Sequence, residues 1–408
     1  MKSRTKLLLA SVLFIYLVLE GLCFGCLWLL AKTRNIRYDP KPTALSAEQR
    51  SVLSEFLKRS SPTAIDGTLG WVNPPSHTNA AGIRDDRDYA TTPRPGTVRI
   101  SAFGDSFTYG GDVSLNENWT KQIMAIDPSV EVLNYGVGGY ALDQAYLRYL
   151  KVGTDYHPNI VFIGYMSQNV DRQVNVLPAF YTNMFHNLVF TKPRFRLEDG
   201  RLVLLPNPLS TYDDYANFLR NDTTVLPELG KNDYWYQINY SRGMLDFLPS
   251  VRLGKVFFGQ VNQRVINPIF KLDGQYNTHS EAYLITTRIL DAFYQKVLDN
   301  GALPIIVVFP DRNDQSRIRQ GEVRRYTALL EHFGAKGYRY IDALNALEPY
   351  NSRYSVAQLT VAWGHYSPIG NTIIANYILA QLKAWNLLDP SRVEQAVQQE
   401  RQRLAQVH

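Results

Sequence analysis

The sequence predicts an α/β protein built on one parallel sheet, preceded by a transmembrane helix. Three observations predict it. Short apolar, β-branched runs alternate with stretches of helical periodicity, which is the pattern of strands wrapped by helices. Three of these runs end in glycine- or asparagine-bearing turns, the usual ligand-facing edge of such sheets. Finally, Leu7 to Ala31 is an apolar run whose single charge is Glu20.

The elements follow in order. A helix is expected over 47–58, then strand 97–103, a helix near 117–125, strand 130–134, helix 141–151 and strand 159–165. The alternation resumes with helix 281–299, strand 304–309, helix 318–333, a short strand 338–342 and a helix from Pro368 to Trp385. Between the halves, residues 176–280 break the pattern with proline, asparagine and aromatics such as Tyr234, Trp235, Tyr236 and Tyr240. A stretch that long is an inserted subdomain or a cover over the site.

The predicted organisation is therefore a tail 1–6, an anchor 7–31, a spacer and covering segment 32–96, a first core half 97–175, the insertion 176–280, a second core half 281–388 and a polar surface helix over 389–408. No internal repeat or low-complexity tract is evident.

With 408 residues, of which 45% are hydrophobic and 12% aromatic, the chain can bury a sizeable core. The net charge of +6 owes part of its excess to Lys2, Arg4 and Lys6, and no basic block follows. That balance argues against nucleic-acid binding. The two cysteines, Cys23 and Cys26, both lie in the apolar run, so neither a disulfide framework nor a zinc site is offered elsewhere.

As a helix, Leu7 to Ala31 is about 37 Å long against roughly 30 Å of hydrocarbon. It is too long for the apolar region of a signal peptide and has no small-x-small cleavage site before Lys32. Cys26 follows Gly25 as in a lipoprotein signal, but Cys23 and Phe24 match that pattern poorly. Lys32, Arg34 and Arg37 nearly balance the N-terminal positives. The simpler topology is a single pass with the C-terminal domain in the periplasm or outside.

Four strand-end segments carry the chemistry. Gly104-Asp105-Ser106 follows the first strand and opens a helix, a geometry that aims a serine hydroxyl at a ligand. It is not the Gly-x-Ser-x-Gly elbow, because Thr108 stands at the second glycine. Serine needs a base and an oxyanion site. Asn134-Tyr135-Gly136-Val137-Gly138-Gly139 ends the second strand, and its glycines let a backbone N–H approach a reacting oxygen. Taken alone it also satisfies the loose dinucleotide fingerprint, with Asp155 as the ribose-binding acid. However, Asp155 precedes the next strand instead of ending it, which disfavours that reading. Asn169 lies just past the third strand, and His365 sits in a turn before the last core helix.

In this order, Gly104-Asp105-Ser106, Gly139, Asn169 and His365 resemble the four blocks of the GDSL/SGNH hydrolase superfamily over about residues 97–388, with the insertion unmatched. The asparagine block is the weakest, since the family's Gly-x-Asn-Asp reads here as Ser167-Gln168-Asn169-Val170. The resemblance implies a three-layer, flavodoxin-like fold. It implies Ser106 as nucleophile, His365 as base, and an oxyanion hole of the Ser106 and Gly139 N–H groups with the Asn169 amide. Asp105 is expected to brace the turn.

One departure stands out: Ala362 occupies the position, three residues before the histidine, where the family carries Asp. In a serine triad, loss of the equivalent group costs roughly 10⁴ in turnover. Asp311 and Asp314, just after the fourth strand, are the candidates to orient His365 in its place, beside a backbone carbonyl.

The function expected is that of a membrane-anchored extracytoplasmic serine esterase. It would remove or transfer O-acyl groups, with an acylated surface glycan or another ester as partner. No metal or organic cofactor is implied. The alternative is a non-catalytic glycan-binding or scaffold module of the same fold, which Ala362 favours and the retained Ser106, His365 and Asn169 oppose.

Overall fold

The computed structural model describes residues 2–58, 65–181, 188–362 and 364–406. Two short paired strands, β1 (Ile65–Asp66) and β2 (Gly70–Trp71), precede the core. The central sheet holds β3 (Val98–Phe103), β4 (Val130–Asn134) and β5 (Ile160–Met166). The insertion adds an antiparallel hairpin, β6 (Arg194–Glu198) and β7 (Arg201–Leu205). The sheet is completed by β8 (Leu303–Phe309) and β9 (Tyr340–Asp342).

The five central strands pair in the order β4-β3-β5-β8-β9, all parallel. Counted along the sheet, this is the 2-1-3-4-5 order of flavodoxin-like folds. Every residue of β3, β4, β5 and β8 is buried. Helices on both faces leave no polar side to the sheet, which is why these strands read as near-continuous apolar runs. Because β3 connects outward to β4 on one side and the chain then crosses to β5 on the other, a crevice opens above the carboxyl ends of β3 and β5.

The expected helix over 318–333 is two helices, Arg312–Arg319 and Thr327–Lys336. Asp311 starts the first, its carboxylate accepting the Asp314 N–H at 2.7 Å. Gly321, at φ +78°, belongs to the break between the two. The tail helix Pro390–Ala405 was expected to be a polar surface helix, yet it buries Val393, Val397, Leu404 and the carboxylate-bearing Glu400. Glu400 is tolerated inside because Arg339 and Arg403 both donate to it, at 3.0 and 2.6 Å.

The segment 32–96 also packs against the insertion. Its helix Ala47–Lys58 contributes Leu53 to a second, smaller core with Tyr215 and Phe218 of the insertion. Phe56 meets Phe190 and Tyr215 edge-on, at centroid distances of 4.8 and 6.1 Å. The helix Lys2–Arg34 precedes it and leaves most of its apolar side chains exposed.

Candidate active site

The backbone leaves β3 at Phe103 and turns at once into the four-residue helix Ser106–Tyr109. Asp105 caps that helix, its carboxylate accepting the Phe107 N–H at 2.9 Å. Gly104 has to be glycine: a Cβ there would lie 2.1 Å from Thr108 Oγ1 and 3.0 Å from the Gly164 carbonyl of the neighbouring strand. Ser106 thus stands at the first helical position, directly above the carboxyl end of β3.

His365 approaches from the far end of the chain. Tyr366 fixes it, being fully inside and donating its hydroxyl to the Pro310 carbonyl beyond β8 at 2.7 Å. Phe107 packs edge-on against the imidazole at 5.2 Å. In this position His365 Nε2 lies 2.8 Å from Ser106 Oγ.

The other ring nitrogen, Nδ1, lies 2.7 Å from Asp112 Oδ2. The carboxylate facing His365 therefore comes from neither candidate named above. Asp314 is turned into a buried cluster, where it accepts from the Ser167 hydroxyl and the Asp311 N–H and pairs with Arg325 at 2.7 Å. Burial pushes its carboxyl up to about 7. Asp311 is committed to its helix cap.

Asp112 reaches the histidine by an unusual turn. Gly110 closes the Ser106 helix in the left-handed region at φ +76°, and Asp112 itself sits at φ +66°. A non-glycine residue there carries backbone strain and needs the surroundings to hold it. Arg84, from the covering segment, does so. Its guanidinium stacks on the Tyr109 ring at 4.0 Å and donates to the carbonyls of Tyr109, Gly110 (2.6 Å) and Val113 (2.9 Å). The carbonyls on either side of Asp112 are thereby clamped.

The glycine turn after β4 is held from the same segment. Trp71 Nε1 donates to the Gly138 carbonyl at 2.9 Å and Asn73 Nδ2 to the Gly136 carbonyl at 2.8 Å. Gly139 lies at φ +78°. Among the described residues, neither its N–H nor that of Ser106 has a hydrogen-bond partner. Asn169 follows β5 and is buried, with its Nδ2 donating to Asp105 Oδ2 at 3.0 Å. Burial raises the Asp105 carboxyl above its ordinary range, opposed by Arg172 nearby.

The structure thus brings Ser106, Gly139, Asn169 and His365 to one sheet edge and adds Asp112, Arg84, Trp71 and Asn73, which sequence reasoning missed. The available signal was Gly110-Gly111-Asp112, an acid six residues beyond the serine. Beside Asp112 lies an open cleft of about 620 Å³ lined by His77, Asn79, Arg84, Asp86 and Tyr109. Among the described residues, no group of three His, Cys, Asp or Glu side chains could hold a metal ion.

No family model and no curated protein matches the sequence. A distant likeness to solved structures is found. A member of the lipolytic G-D-S-L family from Veillonella parvula is 11% identical, with 70% of this chain and 97% of that one covered at a TM-score of 0.33. The lipase/acylhydrolase from Enterococcus faecalis is 14% identical, with coverages of 71% and 96% and a TM-score of 0.36. A catalytic mutant of an acetylxylan esterase from Geobacillus stearothermophilus is 13% identical, with coverages of 71% and 95% and a TM-score of 0.36. The chain thus has five parallel strands in flavodoxin-like order, with Ser106, Gly139, Asn169 and His365 at their carboxyl edge.

Proposed function

We propose that the protein is a serine ester hydrolase whose catalytic residues are Ser106, His365 and Asp112. The observation that carries this reading is the unbroken chain of contacts from Ser106 Oγ to His365 Nε2 and from His365 Nδ1 to Asp112, at 2.8 and 2.7 Å. A nucleophile, a base and an orienting carboxylate within hydrogen-bond reach are what acyl transfer through serine requires.

In the first step Ser106 Oγ attacks the ester carbonyl carbon while its proton passes to His365 Nε2. Asp112 holds the imidazole in the tautomer that can accept and stabilises the imidazolium. The carbonyl oxygen becomes an oxyanion, received by the N–H groups of Ser106 and Gly139 and the second N–H of the Asn169 amide. Collapse of this intermediate breaks the ester C–O bond, and the leaving alcohol takes the proton back from His365. Water then attacks the acyl-serine by the same route and releases the acid. A second hydroxyl in place of water makes the same residues an acyltransferase.

The substrate class we favour is an O-acylated glycan at the outer face of a membrane, with Lys2–Arg34 as a single-pass anchor. The cleft beside Asp112 supports it: it is open and sets the hydrogen-bonding groups of His77, Asn79 and Asp86 beside an aromatic ring, Tyr109, as sugar-binding surfaces do. The helix is long enough to span, at about 50 Å for its 33 residues. The non-catalytic alternative rested on Ala362; the Asp112 carboxylate 2.7 Å from His365 Nδ1 favours the catalytic reading over it.

The test is turnover by the purified full chain in bilayer discs, with p-nitrophenyl acetate and with an O-acetylated oligosaccharide. Release of acetate from both, absent in Ser106→Ala, is the expected result. Turnover that survives Ser106→Ala contradicts the assignment.

A further inference from the structure

Glu20 is the one acidic residue in the apolar run of the anchor helix. A carboxylate at that depth needs a partner, because hydrocarbon offers none. The structure gives it one from far along the chain. Ser250 donates to Glu20 through both its backbone N–H, at 2.9 Å, and its hydroxyl, at 2.5 Å. Ser250 is in the first turn of the insertion helix Pro249–Val261, where N–H groups lack intrahelical acceptors and the helix dipole favours negative charge.

The chain leading into that helix folds back along it. Lys255 pairs with Asp246 at 2.5 Å and donates to the Ser241 carbonyl at 2.8 Å. The segment just past the anchor joins the same hairpin: Lys41 donates its N–H to the Tyr240 carbonyl at 2.8 Å, and the Tyr38 hydroxyl donates to Asp246. The hairpin is therefore tied to the anchor near residue 40 and again at Glu20.

Ser241, Asp246, Ser250 and Lys255 are engaged in these bonds, while several apolar side chains of the hairpin are exposed. Met244 is 96% exposed, Phe247 68%, Phe257 69%, Val265 65% and Leu272 87%. Large apolar side chains left exposed together in one segment mark an interaction surface. Its occupant follows from its position against the anchor helix. If about 20 residues from Leu7 cross the hydrocarbon, the domain-side boundary falls near Cys26, and Glu20 lies about 9 Å beneath it. That is the depth, about 5–10 Å, at which interfacial helices seat their apolar faces.

We propose that residues 239–272 form a second membrane contact, a hairpin whose apolar tip enters the leaflet beside the anchor helix and holds the catalytic domain at a fixed height above the bilayer. The inference rests on reading Lys2–Arg34 as a membrane span. Arg242 and Arg264, both exposed, are placed to reach lipid phosphates.

The experiment uses the full chain in bilayer discs, in a Cys23→Ser/Cys26→Ser background. Ile15→Cys, Met244→Cys and Phe247→Cys each carry an environment-sensitive nitrobenzoxadiazole label. Lipids bearing a doxyl quencher near the headgroup or near the chain end are compared with unlabelled lipid. The inference predicts loss of emission at 244 and 247, greater with the shallow quencher, and loss at 15 with the deep one. Quenching at 15 without quenching at 244 and 247 overturns the hairpin contact and leaves the anchor standing; a dimer under those conditions identifies a second copy as the occupant. No quenching at 15 overturns the anchor itself, and the inference with it.

Discussion

Asp112 Oδ2 lies 2.7 Å from His365 Nδ1, although 253 residues of chain separate the two. The acid comes from the turn behind the nucleophile instead of from the histidine's own loop, where Ala362 stands. If this carboxylate orients His365, Asp112→Asn leaves the shape of the site intact and favours the wrong tautomer. Turnover is expected to fall by about 10²–10⁴ with little change in KM, judged by the effect in serine proteases. Steady-state kinetics on p-nitrophenyl acetate measures it, and a loss below tenfold removes Asp112 from the site.

Arg84 is a positioning residue, since it touches the carbonyls around Asp112 and not His365. Arg84→Met keeps the stem and removes the guanidinium. It is expected to cost about 1–3 kcal/mol in stability, from carbonyls left unpaired. Turnover should fall by about 10-fold or more through a displaced carboxylate. Because the effect passes through Asp112, Arg84→Met adds little further loss in an Asp112→Asn background, which a double-mutant cycle reads directly.

Gly139 at φ +78° has no side-chain clash waiting, the nearest atom to an added Cβ being Trp71 at 3.5 Å. The cost of Gly139→Ala is therefore conformational, about 1–2 kcal/mol. Relief of that strain turns the backbone N–H; if that N–H receives the oxyanion as proposed, its displacement lowers kcat by up to about 10²–10³. Phosphonate labelling rates with melting curves separate the two effects.

Asp171 is buried, and its Oδ1 has no hydrogen-bond partner among the described residues. Burial pushes its carboxyl up to about 7. An unfolded aspartate titrates near 3.9, so between about pH 4 and 7 the folded state holds a proton that the unfolded state has lost. The group's contribution to stability is full below pH 4 and falls as pH rises through 7, by up to about 1.4 kcal/mol per pH unit. Asp171→Asn removes that slope, so its stability relative to wild type rises from pH 4 to 8. Denaturant titrations across this range check the sign.

Much of this site was legible in the sequence, for a physical reason. Parallel strands buried on both faces are apolar along their whole length, so β3, β4, β5 and β8 stand out, and the turns that end them point to Ser106, Gly139 and Asn169. His365 follows from its place before the last core helix. Asp112 was not legible, because its contact with His365 is made across the fold and its backbone relies on glycines and on Arg84. Glu400 looks like a surface residue in sequence and Asp314 like a partner for His365, and only their arginine partners explain where each is buried. The helix expected over 318–333 failed where Gly321 interrupts an otherwise continuous helical pattern.

The most direct measurement is active-site labelling of the full chain in bilayer discs with a fluorophosphonate. Wild type should label to one equivalent at Ser106, Asp112→Asn much more slowly, and Ser106→Ala and His365→Ala not at all. A folded wild type that does not label, or labels equally in Ser106→Ala, contradicts the serine–histidine–aspartate site.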